Sequence, residues 1–414
     1  MELEDINSKA NPQFPTSLPG SFWGITTFFN PCQYRNKYAN YRIFRQNASR
    51  QGLNLLAVEL AFDDDPFELK DHQDAQILIQ LRGTREKNLM WQKERLLNLG
   101  LKHLPADCDK VAWIDCDVLF KNDSWIKETS GLLEKYIVVQ PFELSIRLAK
   151  DAYDISSEDI KKLPYGEEEG QKLYSTGYQF SVNGRLSQLG FCWALRRSVA
   201  EKHLFYDSMI LGSADTLAAL AYFGIDPVNW GSNHHAVFVP LDYSVWAKRI
   251  YSDIKGSVYF TQGVLLHLWH GEAKNRIWKY RLRVFSLFYF NPALDIKIGL
   301  NGLWEWSSDK PQLHRIVAEF FGLRNEEGEK ITFAAILLDQ LAILNIELKA
   351  TQARINYIES SPTYKFACFF KQIGYFILPS LKIRLWIISG VRFIGKAIAK
   401  PYGFIVQRFK KQKG

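Results

Sequence analysis

Between Val111 and Phe120 an apolar run is interrupted by two carboxylates one residue apart, Asp115 and Asp117. Side chains alternate along a strand, so this spacing would send both to one face and Cys116 to the other. Two convergent carboxylates at the end of a buried strand suit a hard divalent cation, Mn2+ or Mg2+, that takes phosphate oxygens as further ligands. The same spacing recurs at Asp63/Asp65 and at Asp107/Asp109, but those acids abut Pro66 and Pro105 and read as turns. Only after Asp117 does the apolar run resume at once, with Val118, Leu119 and Phe120. A charged pair wedged there is costly unless something pairs it, which favours a metal over the competing reading of a strand-ending turn.

The elements that must position these acids follow from periodicity. Phe22 to Phe29 reads as a strand stopped by Asn30-Pro31, Tyr38 to Gln51 as a helix closed by Gly52, and Leu53 to Phe62 as a second strand. Leu89 to Leu104 reads as a helix ending at Pro105, and Val111 to Leu119 as a third strand. This alternation predicts the α/β class, a mostly parallel sheet flanked by helices. Ligands of such sheets bind beyond the carboxyl ends of the strands, where Thr26, Thr27, Glu59 and the Asp pair all lie.

The chain of 414 residues is 47% hydrophobic, enough for a large core. Its net charge of +8 is not a nucleic-acid signature, because it is localised. Residues 361–414 carry eleven of the 52 basic residues and no acid, leaving 41 basic against 44 acidic residues in 1–360. Five cysteines without metal-binding spacing, and a start (Met1-Glu2-Leu3-Glu4-Asp5) lacking a signal segment, predict a reducing, cytoplasmic setting. No uncharged apolar run approaches the roughly 18 residues of a spanning helix.

Several ordered motifs over about residues 22–285 resemble nucleotide-sugar glycosyltransferases of the GT-A fold, near family 2 and the galactosyltransferase C-terminal module. They are Trp23 to Pro31, Glu59, the helix Lys93-Glu94-Arg95-Leu96-Leu97-Asn98-Leu99-Gly100, Asp115-Cys116-Asp117, and Gly190 to Arg197 with Trp193. Phe205-Tyr206-Asp207, Gly212-Ser213-Ala214-Asp215 and His267-Leu268-Trp269-His270-Gly271 complete the series. The resemblance implies a GT-A (Rossmann-like) fold, metal held by Asp115, Asp117 and His270 with His267 in reserve, and a UDP-sugar as donor. Donor contacts would fall to Thr26, Thr27, Glu59, Arg95, Asn98 and Asp115, and the acceptor or sugar pocket to Trp193, Gly212 and Asp207. Asp215 would be the general base of an inverting displacement. The module is reduced, with one carboxylate where relatives often have two.

Bottom-up readings stand beside these. Asp is a preferred helix N-cap residue, so Asp215 could equally cap a helix over Thr216 to Phe223. Neutral imidazole suits Mn-type ions better than Mg2+. Lys274 and Arg276 could face a diphosphate as its charge develops, or line a solvated helix face. Residues 150–189 have the composition of a lid or of an irregular insertion.

Four segments are expected: a disordered lead over 1–20, a catalytic domain over 21–325, a helical neck over 331–360 that could self-associate, and a basic tail over 361–414. In the tail, Arg392, Lys396 and Lys400 fall four apart among Trp, Phe and Ile, the pattern of a helix lying on an anionic membrane surface. A helical domain packed on the catalytic core is the alternative. The expected protein is a peripheral enzyme on the inner membrane face, moving sugar to a glycan or lipid-linked acceptor in cell-surface polysaccharide synthesis. A non-catalytic glycan-binding protein on a degenerate transferase fold and a sugar nucleotidyltransferase are the alternatives.

Overall fold

A computed structural model describes residues 17–161, 174–176, 189–227, 239–272, 284–328, 348, 351–362 and 364–365. The chain divides into two compact units, Met1–Lys330 and Ile331–Gly414. Within the first, the described strands build a seven-stranded sheet. Its ranges in chain order are β1 Ser21–Phe29, β2 Asn54–Phe62, β3 Ile77–Gly83 and β4 Cys108–Ile114. A short β5, Val118–Phe120, precedes β6 Val138–Gln140, β7 Leu144–Arg147, β8 Tyr174–Thr176 and β9 Cys192–Arg196. The last are β10 Val258–Phe260, β11 Val264–His267, β12 Ile296–Ile298 and β13 Trp304–Trp306.

The large sheet runs β10-β6-β9-β4-β1-β2-β3, and β5-β11-β7-β8 form a second one. Strands β3, β2, β1 and β4 are mutually parallel, while β9 runs antiparallel to both β4 and β6. The α/β class and the mostly parallel sheet expected from the sequence are therefore observed. β2 is apolar almost throughout and buried over Leu55 to Phe62, as befits a strand covered on both faces. The sequence reading passed over β3, whose residues are partly exposed at the sheet edge and give a weaker apolar signal.

Helices α1 (Arg35–Arg50), α2 (Arg85–Asn88) and α3 (Lys93–Leu101) follow the first strands. α3 is shorter than the expected Leu89–Leu104: residues 89–92 are non-helical and link it to the separate turn α2, which is capped by Thr84 Oγ1 accepting from the Lys87 amide. Gly100 lets α3 lie against the sheet: a Cβ there would stand 3.0 Å from Ile25 and 3.1 Å from Leu56 and Val58. Then come α4 (Trp125–Leu133), α5 (Ser157–Lys161), α6 (Arg197–His203), α7 (Ala214–Phe223), α8 (Tyr243–Ile254), α9 (Pro292–Asp295) and α10 (Pro311–Leu323).

Leu18 is buried, its amide bonded to Glu134 Oε2, so packing begins before residue 21. The described residues of the first unit run to Gly328. Of the neck, residues 351–360 are helical and mostly exposed. Residues 366–414 of the tail, and most of the expected lid, lie outside the described residues. Among the described residues no helix is long and apolar enough to cross a membrane.

Candidate metal centre and the adjoining ionic cluster

The two aspartates do not share one face of a strand. β4 ends at Ile114, Asp115 to Asp117 form a turn, and Val118 opens β5 in the other sheet. Asp115 still gives its amide to Phe191 O at 2.8 Å, the last rung beside β9, before the chain changes sheets. The apolar run is continuous because both sheets bury it, which is why the sequence showed one strand.

That change of sheet brings the histidines to Asp117. In the β5–β11 ladder His267 lies opposite Val118, and the Leu268 amide donates to Asp117 O at 2.8 Å. Three residues on, His270 folds back, its Nε2 3.0 Å from that of His267. Asp117 Oδ2 stands 3.2 Å from His270 Nε2, and Asp117 Oδ1 3.7 Å from His267 Nε2. Among the described residues these three form the one group whose ligand atoms lie mutually within 4.8 Å. One carboxylate and two imidazoles fit a borderline divalent ion such as Mn2+ better than Mg2+, which prefers oxygen and water.

Glu326 was missed, since the expected catalytic domain stopped one residue short of it. This buried carboxylate places Oε1 3.7 Å from His270 Nδ1 and 2.7 Å from Arg324 Nε, and Oε2 3.9 Å from Lys37 Nζ. Burial alone would raise its pKa, but Lys37, Arg324 and His270 together hold it well below the usual carboxylate range. A carboxylate on the far nitrogen of a ligating histidine fixes the tautomer and turns Nε2 toward the ion. The start of α1 braces this segment: the Arg35 amide donates to Glu327, the Asn36 side chain to Glu326 O, and Asn40 Nδ2 to Trp269 O at 2.9 Å. Gly271, at φ +90°, permits the crossing, because a Cβ would meet Asn325 O at 2.6 Å. Beside Glu326 a shallow cleft of about 10 Å³ is lined by Phe29, Tyr34, Lys37, Trp91, Phe321 and Arg324.

Asp115 takes a different partner. It forms an ion pair with Lys93 Nζ, which also lies 4.3 Å from the centroid of the Trp113 ring. Burial would lower the Lys93 pKa, but Asp115, Glu94 and Asp215 outweigh it and raise it. Glu94, on the next position of α3, is pushed up to about 8: burial is the main cause, Lys93 opposes it, and Asp215 and Asp115 add to it.

Asp215 is not the N-cap. Ser213 holds that position at φ +81°, after Gly212 at +80°, and the helix starts at Ala214. Asp215 sits in the first turn, its Oδ1 accepting the Thr216 amide at 2.8 Å.

Other expected site residues have structural partners. Thr26 Oγ1 donates to Ile114 O at 2.8 Å, fastening β1 to the end of β4, and Thr27 is part-exposed opposite Val58. Glu59 is buried and accepts from the Glu68 amide at 2.6 Å and from Gln80 Nε2 at 2.9 Å, holding the loop after β2. Asn98 Nδ2 reaches Phe205 O at 2.9 Å and Asp207 Oδ2 at 3.0 Å, and Arg95 joins Asp207 at 3.3 Å. Burial raises the Asp207 pKa against these two donors. Trp193 is fully buried, its Nε1 bonded to Leu189 O at 2.9 Å, so it walls no open pocket. Its apolar run on β9 serves the core. Lys274 and Arg276 lie outside the described residues.

No protein-family model matches this chain, and no curated protein does either. Solved structures similar in fold include mannosyl-3-phosphoglycerate synthase from Rubrobacter xylanophilus, at 9% identity and TM-score 0.33, covering 70% of this chain and 86% of that one. Glucosyl-3-phosphoglycerate synthase from Mycobacterium tuberculosis, in complex with Mn2+, UDP and phosphoglyceric acid, covers 61% and 72% at 12% identity and TM-score 0.31. For 4-diphosphocytidyl-2C-methyl-D-erythritol synthase from Anaerococcus prevotii the values are 58% and 88%, 15% identity and TM-score 0.29.

Proposed function

We propose that this protein is a metal-dependent glycosyltransferase that takes a sugar from a nucleotide-diphosphate donor, a UDP-sugar, and passes it to a glycan or lipid-linked acceptor. The observation that carries this reading is the Asp117–His267–His270 group at the carboxyl end of a mostly parallel sheet. Asp117, His267 and His270 would hold the ion, with Glu326 orienting His270. Bound there, a divalent cation acts as a Lewis acid that neutralises charge on the departing diphosphate.

The chain's own groups do the rest. Lys37 and Arg324, which flank Glu326, suit the phosphates of the donor. Asp215 takes the proton of the acceptor hydroxyl as its oxygen attacks the anomeric carbon and the bond to phosphate breaks, with inversion. Lys93 keeps the Asp115 carboxylate neutralised in the turn between the two regions. The basic tail would hold the enzyme at an anionic inner membrane face, serving polysaccharide synthesis, and the neck would permit self-association.

The test is turnover of a panel of UDP-, GDP- and CDP-sugars with and without Mn2+. Mn2+-dependent release of nucleoside diphosphate supports the reading. Pyrophosphate release from a sugar phosphate and a nucleotide triphosphate would assign a nucleotidyltransferase instead. Binding of donor or glycan without turnover would assign a non-catalytic binding protein.

A further inference from the structure

The turn from Gly299 to Leu303 joins β12 to β13. The Gly302 amide donates to Gly299 O at 2.9 Å and the Gly299 amide to Leu303 O at 2.8 Å, which leaves Leu300 and Asn301 at the tip. Such positions ordinarily hold polar or small residues. Here Leu300 stands wholly in solvent, 112% exposed, while Leu303 on the same turn is fully buried. Ile298 shares a strand face with the buried Ile296 and is nevertheless 52% exposed. Tyr289 and Leu294, on the segment leading into β12, are exposed as well.

This turn is pinned from below. Asn301 Nδ2 donates to Arg82 O on β3 at 3.0 Å, and Asn301 Oδ1 accepts the Leu303 amide at 3.2 Å. Arg95 Nε donates to Gly302 O at 2.5 Å, and a Cβ on Gly302 would stand 2.9 Å from Leu99 on α3. Trp304 Nε1 donates to Asp207 O at 2.9 Å. Leu300 cannot turn inward without breaking this scaffold. A large apolar side chain held in water at a fixed place marks a contact surface.

The chemistry of that surface favours lipid over protein. A protein partner needs a matching patch of roughly 800 Å² on each side, whereas a lipid interface closes round a convex tip without complementary shape. The hairpin brings no net charge with it, because Lys297 and Glu305, its charged side chains, pair at 3.3 Å. The tail of the same chain carries eleven basic residues and no acid among Trp, Phe and Ile, which is the complement of an anionic bilayer.

We propose that the β12–β13 turn is a lipid-inserting wedge, with Leu300 and Ile298 entering the bilayer interface. Stable anchoring takes two signals, so the tail supplies the attraction and the wedge sets the orientation. Orientation has a consequence for the reaction. The hairpin is bonded to Arg95 and Asp207, so insertion brings the segment expected to meet the acceptor toward the lipid face. This last point rests on the glycosyl-transfer reading, and it narrows the acceptor to a lipid-linked one.

The test uses the full chain with an environment-sensitive fluorescent amino acid in place of Leu300, or of the exposed Gln46 on α1. Each is mixed with vesicles of phosphatidylcholine, alone or with phosphatidylserine. With the mixed vesicles, emission from position 300 should shift to the blue and emission from position 46 should not. Leu300→Asp should weaken vesicle partition about tenfold, the order expected for one leucine side chain, and by the same factor at low and high salt. Unchanged circular dichroism and Mn2+ binding in that variant would tie the loss to the tip. Insertion is overturned if the protein sediments with vesicles while emission from position 300 stays put, or if it sediments with neither kind. A blue shift that grows with protein concentration in the absence of vesicles overturns it too, and assigns the tip to a second copy of the chain. Emission needs no turnover, so failure of insertion and failure of the transfer reading are seen separately.

Discussion

The ring of Phe191 stacks on the imidazole of His267, with centroids 4.7 Å apart and planes 28° from parallel. The same residue accepts the Asp115 amide on its carbonyl at 2.8 Å, and it does so at φ +75°, a left-handed conformation uncommon for a bulky side chain. Phe191 thus ties the aspartate turn to the first histidine.

Phe191→Ala should therefore weaken Mn2+ binding about tenfold, in the range of outer-shell changes. It should also cost about 3 kcal/mol or more of stability, as for other buried aromatics cut to alanine. Calorimetry with Mn2+ and chemical denaturation read the two effects separately. Unchanged Mn2+ affinity would show that the stack is packing alone.

The aspartates should separate on mutation. Asp117→Ala removes a ligand of the cluster and should abolish Mn2+ binding with the fold retained, because the turn lies outside both sheets. Asp115→Asn should lower Mn2+ affinity far less, since Asp115 is committed to Lys93. Equal losses, measured by electron paramagnetic resonance of free Mn2+, would place Asp115 on the ion as well.

Glu326→Gln should lower Mn2+ affinity about 10–100-fold by loosening the orientation of His270. Gly271→Ala should mimic it from the other side of the contact, because its Cβ would push the 324–326 backbone away and its φ of +90° disfavours alanine. Matching losses in the two variants support one continuous brace; full affinity in both would remove Glu326 from the site.

Glu94 makes stability depend on pH. Its folded pKa of about 8 lies above the ordinary 4.5, so the unfolded chain loses this proton first as pH rises. The contribution of its neutral form is fully present below about pH 4.5 and is lost as pH rises through about 8. Between those limits this one group removes about 1.4 kcal/mol per pH unit. Denaturation of wild type against Glu94→Gln from pH 5 to 9 should therefore show the difference closing in favour of the variant. A constant difference would mean that Glu94 does not titrate in this window.

The tail carries eleven basic residues and no acid. Lying flat on an anionic surface, each would contribute about 1 kcal/mol near the headgroups, and the Trp, Phe and Ile face would add an apolar term that salt does not screen. Deleting residues 361–414 should release the protein from anionic vesicles in a sedimentation assay and leave Mn2+-dependent turnover largely intact. Continued sedimentation, or loss of folding, would mean that the tail belongs to a packed domain.

The sequence alone determined the alternation of strands and helices, because apolar periodicity is local and each buried strand must carry it. It also marked Asp115 and Asp117, carboxylates costly to leave in an apolar run, while His267 and His270 were marked by the resemblance of their motif. Tertiary structure decided everything that depends on distance between remote segments. The apolar run through Asp115 and Asp117 looked like one strand because burial in two different sheets leaves the same mark. Asp115 went to Lys93, Arg95 and Asn98 went to Asp207, and Glu326 came to His270 from beyond the expected boundary. Trp193 lies in the core because β9 is covered on both faces. Glu94 stood in the sequence only as part of the Lys93 to Gly100 motif, and burial on α3 sets its ionisation. Residue type sets which chemistry a side chain can perform; the packing of distant segments sets its partners, its charge and the ligand left for it to meet.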